Sequence, residues 1–597
     1  MDPQDELVSY YRAELESLHR AGTAFAQRYP RIAGKLELGA SGSTDPHVER
    51  LIESFAFLTA RLQKRLDDRF PELTTGLLGV LYPNLAQAIP PMTIAEFTVD
   101  PKRGKLLSGH PIPRGTRLFT SSGDGQLCRF ATSYAMTLWP LRVAAAGFVP
   151  RAAYDFLEHR SGVQSVLRVR LEPLDCALDE LKLSTLRFHL AGEAQMAGML
   201  YEMLLGHVLN VALYDGTTGK AVLLGKDRVR AAGFADDEEV IPCPPQSHPA
   251  YRLLQEYFTL PQKFLFFDVD GLDRNPNPRA LELLFLLDTL PRERQVISAA
   301  NFRIGCTPVI NLFSQTSEPI RIDHRRAEYR LIADQRRERI TEIHSVTSVV
   351  ASADARDSSA TLRPFYDFSE EGSSTSAFWH ARQEPALDST MDGTDTSLSF
   401  VDLEFNPRLP PSETVYAHVL CTNRGLAGKI PEGAELSMEE PAPLHSIRCL
   451  ARPTPTAYPP LGGSSQWALI SNLSLNHLSL DHGAHSLAAL KKMLKLYSLS
   501  DSPEITRQIE GIRALTTRDV VRRVGAGWQG WANGRQTRLE LDESFYGGVS
   551  LYLFASVLRE FFALYGSTSS FSELVIETTQ KSVTHRFAAL PGRQPRF

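Results

Sequence analysis

The chain has 597 residues, 43% hydrophobic and 22% charged, with a formal net charge of −5. That length and hydrophobic content predict several folded domains, each with its own core. The slightly acidic balance excludes recognition of nucleic acid through bulk positive charge.

The N-terminus, MDPQDELVSYY, is acidic and lacks the apolar stretch of a signal peptide. A first helix is expected over roughly Asp5 to Arg28. Asp45-Pro46 then supplies an N-cap and a first helical proline. From there Val48, Leu51, Ile52, Phe55, Leu58, Leu62 and Leu66 recur at three- and four-residue spacing, which predicts an amphipathic helix stopping near Phe70-Pro71. Such a helix is expected to bury the stripe Leu51, Phe55, Leu58 and Leu62. Phe57 and Ala60 lie off that stripe, so Phe57 is a candidate for contact with a partner subunit or a second packing layer. A third helix is expected from Pro71 to Tyr82.

The pattern then switches to period two. Ala95, Phe97 and Val99 alternate with polar residues, as do Val163, Leu167, Val169 and Leu171, and then Leu186, Phe188 and Leu190. Each run predicts a half-buried strand. A helix near Ala194–Gly206 interrupts them. VLNVALYDGTTGKAVLLG follows as a hairpin turning at Asp215-Gly216. The densest apolar run, Leu281 to Leu287, is too short to span a bilayer and carries Glu282. Residues 351–399, rich in Ser, Asp and Thr, predict exposed loops. The proline-rich segment 452–466 is the best domain boundary. Beyond it, helices are expected near His485–Tyr497, Pro503–Leu515 and Val549–Tyr565, with a strand at Thr537–Leu541. The fold class is therefore α+β and multidomain: a helical N-terminal region (1–90), a β-rich α+β domain (91–300), a β-rich domain with long mobile loops (301–455) and an α+β C-terminal domain (465–597).

Four stretches raise the question of chemistry. FLFFDVDGLD (264–273) has the look of a haloacid-dehalogenase motif, with Asp268 as nucleophile and Asp270 as general acid of a magnesium-dependent phosphatase. The later acidic pair that would hold magnesium is missing, and the bland reading is a strand ending in a polar turn. His482 and His485 are separated by three positions, but Gly483 lies between them and a helix entry explains them better than a metal pair. Seven arginines fall between Arg321 and Arg339, interleaved with Asp323, Glu328, Asp334 and Glu338. Such mixing predicts a salt-bridged surface more readily than a polyanion site. The loop GAGWQGWANG (525–534) carries Trp528 and Trp531, which are either buried or, if exposed, a protein contact. No P-loop, GxGxxG, GxSxG or HExxH occurs, and the six cysteines lack CxxC spacing. Neither catalysis nor a cofactor or metal is expected.

The order of several long segments carries a resemblance. These are YYRAELESLHRAGTAFAQRYPRIAGKL, DPHVERLIESFAFLTARLQKRLDDRFPELTTGLLGVLYP, PIPRGTRLF, CRFATSYAMTLWPL, LPQKFLFFDVDGL, CTPVINLFSQTSEPI, CTNRG, WALISNLSLNHLSL and LDESFYGGVSLYLFASVLREFFALYGSTSSFSEL. Together they resemble the TssF (VasA or ImpG) family of type VI secretion baseplate subunits over essentially the whole chain. The segment at Ser567–Phe571 and the tail HRFAALPGRQPRF depart from the family's usual S-I-N-S-F and W-P-P-R endings. The resemblance implies a structural, non-enzymatic role and an architecture like the wedge proteins of contractile phage baseplates. It implies that two copies join one TssG in a wedge to which TssK and TssE attach, with wedges assembled around the VgrG spike. It places the protein in the cytoplasm at the inner membrane, without inserting into it, linked indirectly to the sheath and the membrane complex. Two copies beside one TssG are expected to differ in domain orientation, hinging near 452–466 or within 351–399.

Overall fold

The computed structural model describes residues 3–29, 38–39, 42–43, 45–67 and 83–592, apart from 353–359, 366–376, 403–413, 460–485, 499–501, 524–530, 566–569, 581–583 and shorter stretches. Two compact units emerge: residues 1–81 with 460–474, and residues 82–459 with 475–597. The second unit is predominantly β-structure.

In the first unit, helices Pro3–Arg28 and Pro46–Asp67 pack on each other. Asp45 caps the second by accepting the backbone N–H of His47 at 2.9 Å. The buried face of this helix differs from the expected one. Ala56 and Ala60 are fully buried, whereas Leu51, Phe55 and Leu58 are 70%, 59% and 56% exposed. The reason lies on the far side of the helix, more than a third of a turn away. Glu49, Ile52, Ala56 and Ala60 share a face, and Glu49 meets His19 of the first helix at 2.8 Å. Small side chains let two helix backbones approach closely, so the alanines, not the leucines, form the seam. Leu62's side chain lies outside the described residues.

The second unit is organised around a closed six-stranded barrel. Its strands run in the order 306–310, 92–99, 444–449, 435–438, 117–121 and 127–132. Ala95, Phe97, Leu118, Phe130, Val309, Leu436 and Ile447 form its core. The division expected at residue 300 runs through this barrel, because 92–99 pairs with 306–310 on one side and with 444–449 on the other. Two sheets are inserted between barrel strands 127–132 and 306–310. One has the order 221–223, 208–214, 281–287, 165–173, 141–149; the other 229–232, 266–270, 185–190, 302–304. Leu281–Leu287 is a central strand of the first, buried at every position. This is why every residue of the run but Glu282 is apolar. An eight-stranded sheet, including 342–352 and 414–422, is inserted between 306–310 and 435–438.

The C-terminal portion holds helices Ser486–Tyr497, Pro503–Glu510 and Leu551–Tyr565 beside a five-stranded sheet. Two expectations are corrected here. The helix expected over Pro503–Leu515 ends at Glu510, and Ile512 begins a strand that runs to Arg523. The strand expected at Thr537–Leu541 begins at Trp531. Helix 551–565 connects the parallel strands 531–541 and 571–578 and packs on helices 194–206 and 249–259. The hairpin at 208–223 also differs in detail. Tyr214 pairs with Ala221, so the turn spans Asp215 to Lys220 instead of two residues. The Asp215 carboxylate folds this loop by accepting from Thr217 N–H and Thr218 Oγ1, and Gly219 takes the positive φ of 71°.

Candidate functional site

The D-x-D-G stretch shows what its sequence could not. The strand is Phe266–Asp270, preceded by a short 3-10 turn over Pro261–Phe264. Phe266, Asp268 and Asp270 share one face; Phe267 and Val269 pack on the other. The strand is central, flanked by 185–190 and 229–232. Register places Arg187 opposite Asp268 and Thr185 opposite Asp270. Arg187 donates to both oxygens of Asp268, Nε to Oδ1 at 2.7 Å and Nη2 to Oδ2 at 2.8 Å. Asp270 accepts from Thr185 Oγ1 at 2.8 Å and pairs with Arg230 at 2.7 Å. Both carboxylates are cross-strand ion pairs. A phosphatase nucleophile needs an oxygen free to attack and a neighbouring acidic set for magnesium; Asp268 has a bidentate guanidinium instead. Gly271, at φ 86°, ends the strand in a left-handed turn.

Asp268 and Arg187 border a cleft of about 870 Å³ between the barrel and this sheet, which also carries Arg142, Arg303 and Arg448. The first three arginines in this set are matched: Arg187 by Asp268 and Glu238, Arg142 by Glu172, and Arg303 by Glu96. The Arg321–Arg339 stretch does not converge either. Arg330 sits between Glu338 at 2.6 Å and Asp395 at 2.9 Å, Asp334 caps the turn 335–340, and Asp323 accepts from Tyr329. His482 and His485 lie outside the described residues. Burial pushes the Cys128 and Cys449 thiols up to about 11 and Cys421 to about 12, so these three are not nucleophiles at neutral pH.

Several large apolar side chains face outward. Phe57 is 46% exposed on helix 46–67, beside the exposed Leu51, Phe55 and Leu58. Trp531 is 74% exposed. It is not in a loop: it pairs with Arg523 in the antiparallel ribbon of strands 512–523 and 531–541. Strand 571–578 reaches only Gly534, so Trp531–Asn533 extend past the sheet with Val521, also exposed. Trp528 lies outside the described residues. Sequence reading missed one cluster, where Glu202 and His207 meet His585. Nothing in the linear spacing signals it.

No described helix is long and apolar enough to cross a membrane. Two solved structures that share this fold come from the baseplate of a secretion machine. A chain of a TssK-TssF-TssG baseplate subcomplex seen by cryo-electron microscopy superposes with a TM-score of 0.73 at 25% identity, covering 92% of this chain and 99% of that one. A chain of the type VI secretion system baseplate complex gives 0.61 at 23% identity, over 99% and 100%. The TssF profile of the type VI secretion system matches residues 3–594. The type VI secretion system component TssF1 of Pseudomonas aeruginosa is 34% identical over 621 aligned residues, covering both chains completely. This chain belongs to the TssF family.

Proposed function

We propose that the chain is a structural wedge subunit of the type VI baseplate, two copies of it held by one TssG. In this reading TssK and TssE attach to the wedge, and the assembled wedges surround the VgrG spike and seed the sheath. The protein works in the cytoplasm at the inner membrane and performs no catalysis. The observation that carries this is the match to TssF1 along the entire length of both chains. The side-chain chemistry supports it: the acidic and basic groups that look catalytic in sequence neutralise one another across strands. The exposed row Leu51, Phe55 and Leu58, with Phe57 on an adjoining face, suits subunit contact, because burying large apolar side chains is worth several kcal/mol. Trp531 suits a second one.

Co-expression with the TssG encoded beside it, followed by mass determination of the purified complex, tests this reading. Two of these chains to one TssG is the expected species. A monodisperse monomer that ignores TssG would remove it.

A further inference from the structure

Helix 194–206 ends at His207, whose backbone N–H reaches back to Met203. One turn earlier the helix carries Glu202. Strand 584–586, which pairs with 571–578, delivers His585 to the same place. The three side chains are half-buried and their ligand atoms lie within 4.8 Å of one another. His207 Nδ1 is 2.8 Å from Asp288 Oδ1. An ionised carboxylate can only accept, so in the neutral ring that contact places the proton on Nδ1 and turns the Nε2 lone pair toward Glu202. His207 Nε2 is 3.9 Å and His585 Nε2 is 3.6 Å from the same oxygen, Glu202 Oε1.

Two imidazoles turned toward one carboxylate are stabilised by positive charge, either a proton on a ring or a cation held among the three. A shared proton would draw nitrogen and oxygen to about 2.7–2.9 Å. An ion with bonds of about 2.0–2.1 Å in a tetrahedron holds its ligands roughly 3.3 Å apart. The two separations from Glu202 are too long for the first and wider than the second by less than 1 Å, so a small inward rotation of the three side chains would close them on one ion. We propose that Glu202, His207 and His585 bind a divalent transition ion of the zinc class, with Asp288 as the outer partner that orients His207. Two imidazoles and a carboxylate are a borderline donor set that suits zinc over calcium or magnesium. The partial exposure of all three leaves the fourth position to water. The ion joins the end of helix 194–206 to a strand near the C-terminus, so its role is to fasten the last sheet onto the body of the protein.

The test uses the full-length chain, stripped with chelator and titrated with Zn²⁺ and, separately, Co²⁺. One tight equivalent is expected in the wild type. E202Q and H585N should each lose it, and D288N should bind about tenfold more weakly or worse, as outer partners of metal-bound histidines do. Zn²⁺ should raise the thermal midpoint of the wild type and leave E202Q unmoved. The Co²⁺ complex should show d–d bands without sulfur charge transfer. Sulfur charge transfer would assign the ion to a cysteine site and overturn the proposal, even if the variants fold poorly. So would equal zinc stoichiometry in wild type and H585N, or no tight zinc in the wild type.

Discussion

Lys263 is fully buried, and its ammonium meets the equally buried Glu256 carboxylate. Glu256 also accepts the backbone N–H groups of Val240 and Ile241 at 2.7 and 3.0 Å, and Lys263 donates to the Glu238 carbonyl at 3.1 Å. Burial pulls the Lys263 pKa down, and Glu256 works against it. Replacing only the acid strands the cation. Glu256→Ala is expected to cost about 3–5 kcal/mol in denaturant unfolding. Glu256→Ala with Lys263→Met should recover a large part of that loss. His344 gives the pH dependence at this scale. Burial holds its pKa down at about 4, from 6.5, with the ring against the Ala88 carbonyl at 3.1 Å. The unfolded chain therefore binds this proton first. Stability should be full above pH 6.5 and fall as pH drops from 6.5 toward 4, by roughly 3 kcal/mol for this residue alone. Chemical unfolding at pH 7 and pH 4.5 measures it, and His344→Gln should flatten the slope.

At the level of elements, Gly198 sets how closely helix 194–206 approaches the start of helix 551–565. A Cβ at position 198 would stand 2.7 Å from that of Ser550. Gly198→Ala gains up to about 1 kcal/mol of helix propensity yet should lower stability overall by about 1–2 kcal/mol. Adding Ser550→Gly should recover part of it, less the helix-cap bond that Ser550 Oγ accepts from the Leu553 N–H; a thermal melt of the pair decides. Elements also show how far the sequence could be read. Strands 92–99 and 185–190 announce themselves by alternation over Ala95–Val99 and Thr185–Phe188, the stretches where burial itself alternates. Asp45-Pro46 marks a helix start for reasons local to the chain. The partner of each face is not local. Periodicity chose Leu51, Phe55 and Leu58 as the inward stripe because it scores hydrophobicity, whereas the seam selects for small size at Ala56 and Ala60. Asp268 looked like chemistry because Arg187, which neutralises it, is fixed by strand register across 81 positions. Glu202 and His585 lie farther apart still.

For the whole molecule, the outward apolar row on helix 46–67 is the feature with the clearest consequence in assembly. Leu58→Asp should leave the fold intact, because that side chain is already 56% exposed. It should nevertheless sharply reduce capture of the chain by TssG in a co-purification. Ala56→Leu should act differently, lowering solubility and thermal stability by overpacking a fully buried seam. Unchanged TssG capture by Leu58→Asp would show that the row serves some other contact.

The barrel has a consequence for how the protein is made. Strand 92–99 waits for 444–449 on one side, and Val99 is matched to Leu444. A ribosome adding about 5–20 residues per second exposes that unpaired edge for roughly 20 to 70 s before its neighbour emerges. Open strand edges recruit other chains. Newly made protein is thus at its most aggregation-prone during translation, and a message that stalls anywhere between the two inserted sheets and residue 449 yields a chain whose central barrel cannot shut.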